Sequence, residues 1–172
     1  MLACSTTARA AAFDLNDASW EGCAELLDLA RRELSMDRVV VLSTLDWEQI
    51  KASDGILVLH PTRPMDAEEA AAFMKAGGRM AILDDFGRGD RLLTHFKIER
   101  RALPTQPVSF LRGKPALPIA TPAFDVANGE VLGLHPTVGD VKQVVLNHGT
   151  GLRHPDLTPV LEVRVQGQRP VT

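Results

Sequence analysis

The stretch that decides the fold reads Asp66-Ala67-Glu68-Glu69-Ala70-Ala71-Ala72-Phe73-Met74-Lys75-Ala76-Gly77-Gly78. It opens with a carboxylate, carries a second one three residues later and ends at two glycines, which predicts a helix of about three turns. Aliphatic runs at residues 56–59 and 80–83 flank this helix. Each run has the length and continuous hydrophobicity of a buried strand. The order strand, helix, strand predicts a parallel βαβ unit.

The same alternation extends outward along the chain. Residues 11–15 are a predicted first strand, and the Val-Val-Val-Leu run at 39–42 is another. Between them Asp17 or Ser19 is predicted to cap a helix, whose apolar stripe is Trp20, Cys23, Leu27, Ala30 and Leu34. A short helix is predicted at 91–96, and later strands at 141–146 and 160–165. The pattern predicts a three-layer α/β sandwich with a mostly parallel sheet.

Composition sets the limits of the molecule. A chain of 172 residues with 45% hydrophobic content is long enough to bury one core. We expect a lead-in at 1–11, a single α/β domain at 12–166 with a proline-rich excursion at 101–123, and a tail at 167–172. The formal net charge of −3 argues against nucleic-acid binding. No apolar run approaches the roughly 20 residues that cross a bilayer, so no membrane span is expected.

The N-terminal residues leave the compartment open. Ala8-Arg9-Ala10 has the small-x-small form that precedes a signal-peptidase cut, although a basic start and an apolar stretch are missing. Residues 1–11 are therefore either the remnant of an export signal, which would put the protein on the periplasmic side, or an alanine-rich lead-in to the first strand. The two cysteines, Cys4 and Cys23, form neither a metal motif nor a disulfide framework, and Cys23 is predicted to pack in the core.

One motif resembles a known family. The run Gly77-Gly78-Arg79-Met80-Ala81-Ile82-Leu83-Asp84-Asp85-Phe86-Gly87-Arg88-Gly89 is similar to the domain of unknown function 4350 family of bacteria and archaea. Weaker matches at 17–34, 56–61 and 144–148 extend the resemblance over most of residues 12–165. The resemblance implies a flavodoxin-like sheet, a degenerate relative of the class I glutamine amidotransferase fold, and an exported, membrane-associated setting. It implies a non-enzymatic or unknown role and supplies no catalytic residues.

Amidotransferase chemistry does not fit the residues. An active enzyme of that class uses a cysteine on the strand-to-helix turn, and this chain has Asp84 and Asp85 there. A carboxylate is a far poorer nucleophile toward an amide than a thiolate. No Gly-x-Ser-x-Gly elbow occurs either. We therefore expect no cysteine or serine triad and assign no catalytic residue, cofactor or metal ion.

Polar residues at the predicted strand ends are the candidate site. In open parallel sheets ligands bind beyond the carboxyl ends of the strands. The candidate ligand-binding residues are Asn16, Asp17, His60, Asp84, Asp85, Arg88, Asn147 and His148. If they meet in one crevice, two histidines and two carboxylates offer the donors that zinc or manganese prefers. The structural alternative is that Asp84 accepts backbone amides in its turn, Asp85 or Asp90 caps the next helix, and His60 is a loop residue.

Two further segments carry paired hypotheses. Gly87-Arg88-Gly89 either cradles a phosphate with backbone amides or permits a left-handed turn. Three nearby carboxylates argue against the phosphate. Residues 103–122 are either a docking strap anchored by Phe110 and Leu111 or a loop that covers a sheet edge and packs Phe110 inward.

These observations favour a non-catalytic binding or assembly module, part of an exported or membrane-associated system. Its partner would be an unknown protein or a small polar ligand. One alternative is a metal-dependent hydrolase that uses His60, Asp85 and His148. Another is a sensor for a small ligand in the same crevice.

Overall fold

A computed structural model of the chain describes residues 12–19, 21–84, 87–127, 130–147 and 149–172. The described residues divide into two compact units. The first unit runs up to His60 and also contains Glu68–Leu83, and the second contains Pro61–Ala67 and Asp84–Thr172. The domain limits predicted above stay a prediction.

The first unit contains the predicted βαβ element. Helix α1 (Ala24–Leu34) comes first in the chain, followed by strand β1 (Gly55–Leu59), helix α2 (Ala67–Lys75) and strand β2 (Arg79–Leu83). Strands β1 and β2 pair in parallel, with Gly55 opposite Arg79 and Leu59 opposite Leu83. Because α2 connects the two strands, the strand, helix, strand order predicted from the sequence is confirmed here.

The C-terminal end of α2 explains why the helix stops where the sequence predicts. The amide of Gly78 donates to the Phe73 carbonyl and that of Gly77 to the Met74 carbonyl, both at 3.0 Å. This is the Schellman pattern, and it requires a left-handed residue directly after the helix cap. Gly77 fills that position with φ of +105°. Phe73 is buried on the inner face of α2, so the helix ends with its apolar face covered.

The second unit contains one short α-helix, two 3₁₀ turns (Leu111–Gly113 and Pro136–Val138) and only antiparallel strands among its described residues. Helix α3 (Asp90–His95) is followed by β3 (Glu99–Ala102), β4 (Ile119–Pro122), β5 (Phe124–Ala127), β6 (Glu130–Leu134), β7 (Val144–Val145), β8 (Thr150–Arg153) and β9 (Leu161–Glu162). The sheets are β3–β8, β7–β4–β9 and the β5–β6 hairpin. The buried core residues of this unit include Leu92, Ala120, Ala123, Val138 and Val163.

The predicted fold class is wrong. Among the described residues, the one parallel sheet is the two-stranded β1–β2 pair, and the other sheets are small and antiparallel. The protein is therefore mixed α/β with three α-helices in the described ranges. It is not the mostly parallel three-layer sandwich, and neither the flavodoxin-like nor the glutamine amidotransferase-like architecture is present.

Two predicted strands do not form, which leaves β1 and β2 without further parallel neighbours. Residues 12–15 lie in turns, where the Phe13 amide donates to the Glu21 carbonyl and the Cys23 amide to the Asp14 carbonyl. Residues 39–42 pair with no strand in the described ranges. Sequence composition gave both segments strand character, but pairing depends on partners that composition does not specify.

Helix α1 also differs from its predicted start. Cys23, half-buried, is its N-cap and makes no side-chain capping bond. The predicted caps Asp17 and Ser19 instead lie in the preceding turn, and Trp20 is outside the described residues.

None of the helices within the described ranges has the length and apolar character needed to cross a membrane.

We expect Gly77→Ala to lower the free energy of unfolding by about 1 kcal/mol, because a Cβ atom disfavours the left-handed backbone that ends α2. No atom lies within 4 Å of the new methyl group, so the loss reports backbone conformation alone. Urea unfolding measures it. Gly55→Ala is the matched control, since its Cβ site is equally open and its φ is not positive. Equal losses in the two variants would contradict this account of the helix end.

Candidate functional site

Asn16 and Asp17 lie in the compact turn that precedes α1. The Asp14 carboxylate accepts hydrogen bonds from the Asn16 backbone at 2.9 Å and from its side-chain amide at 3.3 Å. The Asp17 carboxylate accepts from the Ser19 amide at 2.9 Å and from the Ser19 hydroxyl at 2.7 Å. The hydroxyl bond, followed by the amide bond, lowers the pKa of Asp17 below its usual 3.8. Both polar side chains are therefore engaged locally.

His60 directly follows β1 and continues the β1–β2 ladder. Its amide donates to the Leu83 carbonyl at 2.8 Å. Its imidazole ring stacks on Phe13, with ring centroids 4.5 Å apart and planes inclined by 10°. Phe13 and His60 both have a left-handed backbone, with φ of 67° and 42°. Such residues cost on the order of 1 kcal/mol each, so the stacked contact helps to hold two strained positions.

Asp84 is the best-defined polar residue of the second unit. Its side chain is only 3% exposed. One carboxylate oxygen accepts from the Gly87 amide, and the other accepts from the Gly89 amide at 2.8 Å. A Cβ atom on Gly87 or Gly89 would lie within 2.5 Å of these oxygens, so both positions need glycine for this close approach. The structural alternative for Asp84 is confirmed.

Arg100 joins this turn to the first residue of α3. Its Nη2 atom lies 3.5 Å from the Asp84 carboxylate, and its Nε atom donates to Asp90 at 2.6 Å. One guanidinium thus lies against two carboxylates, with its shorter contact to Asp90. Asp90 does not cap α3, because Gly89 is the N-cap and makes no side-chain capping bond.

Both hypotheses for Gly87-Arg88-Gly89 are wrong. The amides of the two glycines donate to Asp84, and the Arg88 amide donates to the Pro61 carbonyl at 2.7 Å. The backbone therefore offers no cradle for a phosphate. Neither glycine is among the residues with positive φ, so the turn is not left-handed.

Arg88 lines a cleft in the second unit. The cleft has a volume of about 360 Å³, and its walls are formed by Pro64, Gly87, Arg88, Asp90 and Arg91. In the first unit a second cleft of about 370 Å³ is lined by Asp17, Ala18, Ser19, Gly22 and Glu25. The cleft of the second unit is bordered by two arginines and one carboxylate, and the cleft of the first unit by two carboxylates, so the two clefts suit ligands of opposite charge.

The predicted site residues fall into separate groups. Asn16, Asp17 and His60 belong to the first unit, whereas Asp84, Arg88 and Asn147 belong to the second. Asn147 is exposed just beyond β7. Asp85 and His148 lie outside the described residues. The parallel sheet that was expected to gather these side chains does not form, so a single crevice lined by all eight stays a prediction without that support.

The proline-rich residues do not pack as the loop hypothesis predicts. Pro107 forms an isolated bridge with Val165, and Phe110 forms one with Pro118. Phe110 is 37% exposed and Leu111 is 36% exposed, so Phe110 is not packed inward. The docking-strap hypothesis for residues 103–122 stays a prediction.

No metal centre is formed by the described part of the chain, where no group of three or more His, Cys, Asp or Glu side chains is placed to hold an ion.

Sequence reasoning missed Arg91 and Arg100. Arg91 follows Asp90 at the start of a short helix, which singles it out only weakly. Arg100 lies in β3, far along the chain from Asp84, and nothing in the sequence indicates their pairing.

Comparison with known proteins gives one match. The sequence model of a family described as "Domain of unknown function (DUF4350)" matches residues 16–172. No curated protein and no solved structure matches the chain. The resemblance to this family that the sequence indicates is therefore confirmed, while nothing supports the likeness to glutamine amidotransferases.

We expect Asp84→Asn to lower the free energy of unfolding by about 2 to 4 kcal/mol, because it places an NH₂ group against a backbone N–H and removes the buried charge that both amides and Arg100 face. Chemical denaturation measures the loss. Asp90→Asn is the control, since that side chain is 72% exposed and keeps only its contact with Arg100, so its loss should stay below about 1 kcal/mol. A similar small loss for Asp84→Asn would show that the turn does not depend on its carboxylate.

Ser19→Ala should raise the pKa of Asp17 toward 3.8, because the variant removes the hydroxyl bond that most favours the ionised form. NMR titration of the Asp17 side-chain carboxyl follows the change. Asp37, whose pKa is lowered chiefly by a bond from Ser35, serves as an internal control and should titrate as before. An unchanged Asp17 titration would mean that this turn is not held by Ser19 in solution.

Proposed function

The chain belongs to the DUF4350 family of domains of unknown function, and on that premise we propose that it is a non-catalytic module that binds a partner protein. The docking element is the aliphatic segment 34–42, defined by the side chains of Leu34, Met36, Val40, Val41 and Leu42. Leu34 ends α1 and Met36–Arg38 form a short 3₁₀ helix, so the partner contributes an extended strand alongside residues 39–42 of this segment.

Exposure of these side chains is the observation that carries the proposal. Val40 and Met36 are each 73% exposed, and Leu34 and Leu42 are each 55% exposed. Apolar residues scattered singly over a surface are ordinary, but five exposed apolar side chains within nine residues are typical of an interaction site. Burying one such side chain is worth roughly 1.5–3 kcal/mol, so covering several supplies a useful binding energy.

The backbone of the segment supports a strand as the occupant. Val39 has extended dihedral angles, φ −105° and ψ 108°. Residues 39–42 are neither helical nor paired with another strand in the described ranges. An extended segment with unpaired amides and carbonyls is a template for strand addition, in which main-chain hydrogen bonds give affinity and alternate side chains give specificity.

Charged residues within and just after the segment support a different protein as the partner. Asp37 and Arg38 directly precede the valines, and Asp46 follows three residues after Ser43. Flanking charges of this kind limit the association of identical aliphatic strands. The proline-rich segment is a weaker candidate, because Phe110 and Leu111 are only just over a third exposed.

The remaining parts of the proposal rest on the sequence. The absence of a cysteine or serine triad motif supports a non-catalytic role. The motif Ala8-Arg9-Ala10 and the family's setting support an exported or membrane-associated partner system. The hydrolase that would use His60, Asp85 and His148 stays a prediction, because two of its three residues lie outside the described ranges.

The test is site-specific photocrosslinking in the source cells at native expression. A benzophenone side chain at position 40 should give one dominant adduct, and the same probe at Asp156 should not. We expect Val40→Lys with Leu42→Lys to lower the affinity for the identified partner at least tenfold while leaving the melting temperature unchanged, because both side chains are exposed in the free protein.

Val108→Lys with Leu157→Lys is the matched control, since these side chains are 57% and 40% exposed in the second unit. An equal loss of affinity in this control would overturn the assignment of the docking element. An adduct that contains only a second copy of this chain would replace the proposal with self-association.

A further inference from the structure

We propose that the cleft lined by Arg88 and Arg91 binds the oxyanion group, phosphate or carboxylate, of a small molecule. All of its lining residues belong to the second unit. Its volume of about 360 Å³ is at the lower end of the range typical of small-molecule sites. This site is independent of the docking segment 34–42, which belongs to the first unit.

The two described acidic groups near the cleft, Asp84 and Asp90, already have bonding partners, although they share the single positive charge of Arg100. Asp84 accepts two backbone amides and lies against Arg100, and Asp90 accepts a 2.6 Å hydrogen bond from the same guanidinium. The sequence places three carboxylates near this turn, and three unpartnered carboxylates would repel an anion. In the structure two of those three carry a partner, and the third, Asp85, is outside the described residues.

The two arginines, by contrast, keep their hydrogen-bonding capacity. Within the described part of the chain neither the Arg88 nor the Arg91 guanidinium forms a side-chain hydrogen bond or ion pair, and both residues are exposed. A guanidinium presents N–H groups in a planar fork that matches the oxygens of phosphate or carboxylate. Two forks bordering one cleft can bind one oxyanion from two sides.

The side chains, rather than the backbone, are the ligands of this site. The amides of residues 87–89 are engaged by Asp84 and Pro61, so they make no contribution. Helix α3 has only six residues, and its N-terminal amides are not ligands of this site. These backbone hydrogen bonds instead fix the conformation of the turn that contains Arg88. They therefore fix the backbone position of Arg88 relative to that of Arg91.

Isothermal titration of the purified full chain with inorganic phosphate, glucose 6-phosphate and succinate tests the proposal. We expect saturable binding of at least one probe at low ionic strength, weakened by added sodium chloride. A response to the two phosphates alone identifies a phosphate ligand, and a response to succinate alone identifies a carboxylate. No saturable binding of any probe would overturn the proposal.

Variants of arginines inside and outside the cleft distinguish a specific binding site from nonspecific attraction of the probe to positive charge. Arg88→Gln and Arg91→Gln should each lower the affinity at least tenfold, because each removes a charge-assisted hydrogen bond. Arg153→Gln makes the same charge change on an exposed side chain of the same unit and should leave affinity unchanged. Arg88→Lys keeps the charge but loses the fork, so it should recover only part of the affinity.

Equal weakening by Arg153→Gln would reduce the result to nonspecific attraction and overturn the site. NMR provides a readout that does not depend on the variants. In the unmodified protein the Nε–H signals of Arg88 and Arg91 should shift on titration with the bound probe while that of Arg153 stays in place. Because no partner protein is present in these experiments, their failure would leave the docking proposal for segment 34–42 untouched.

Discussion

A carboxylate taken out of water must have its oxygens bonded, and Asp84 meets this demand within its own turn. The Gly87 and Gly89 amides satisfy one oxygen each, and Arg100 compensates the charge. The position of Arg88, which lies between the two glycines, follows from this arrangement. Asp84 accepts the amides of the turn, and Arg100 lies against both Asp84 and Asp90. The guanidinium groups of Arg88 and Arg91 form no ion pair with another residue in the described ranges.

Sequence reasoning succeeded where structure is local. Helix α2 ends at Gly77 because its last carbonyls need partners within five residues, and the sequence shows both the glycine and the spacing. Strands β1 and β2 flank that helix closely and are marked by continuous aliphatic runs. The amide bonds of Asp84 are equally local, which is why the structural alternative for that residue is confirmed.

It failed where structure depends on distant partners. Residues 39–42 have the same composition as β1, yet they form no strand in the described ranges, because pairing depends on what lies alongside. Strand β3, Glu99–Ala102, contains two arginines and a glutamate, so its hydrophobicity gives no signal. It forms through antiparallel pairing with β8, about fifty residues later in the chain. The pairing of Arg100 with Asp84 was missed for the same reason.

Both proposed binding surfaces lie where the structure differs from the sequence prediction. Residues 39–42 were predicted to be a strand of the sheet, but they pair with no strand in the described ranges, so their side chains stay exposed. The carboxylates near Arg88 and Arg91 were predicted to repel an anion, but Asp84 and Asp90 already contact other groups. Each surface lies within one unit, and at each the tertiary contacts differ from what the local sequence pattern predicts. Departures of this kind are where functional constraints override local preference.

Hydrogen exchange at the Asp84 turn also reports how often this turn opens. A backbone amide that donates to a buried acceptor exchanges its hydrogen with solvent only when that bond breaks. The Gly87 and Gly89 amides therefore record how often the carboxylate is released. Their exchange follows local opening of the segment that carries Arg88, without any label and without any ligand.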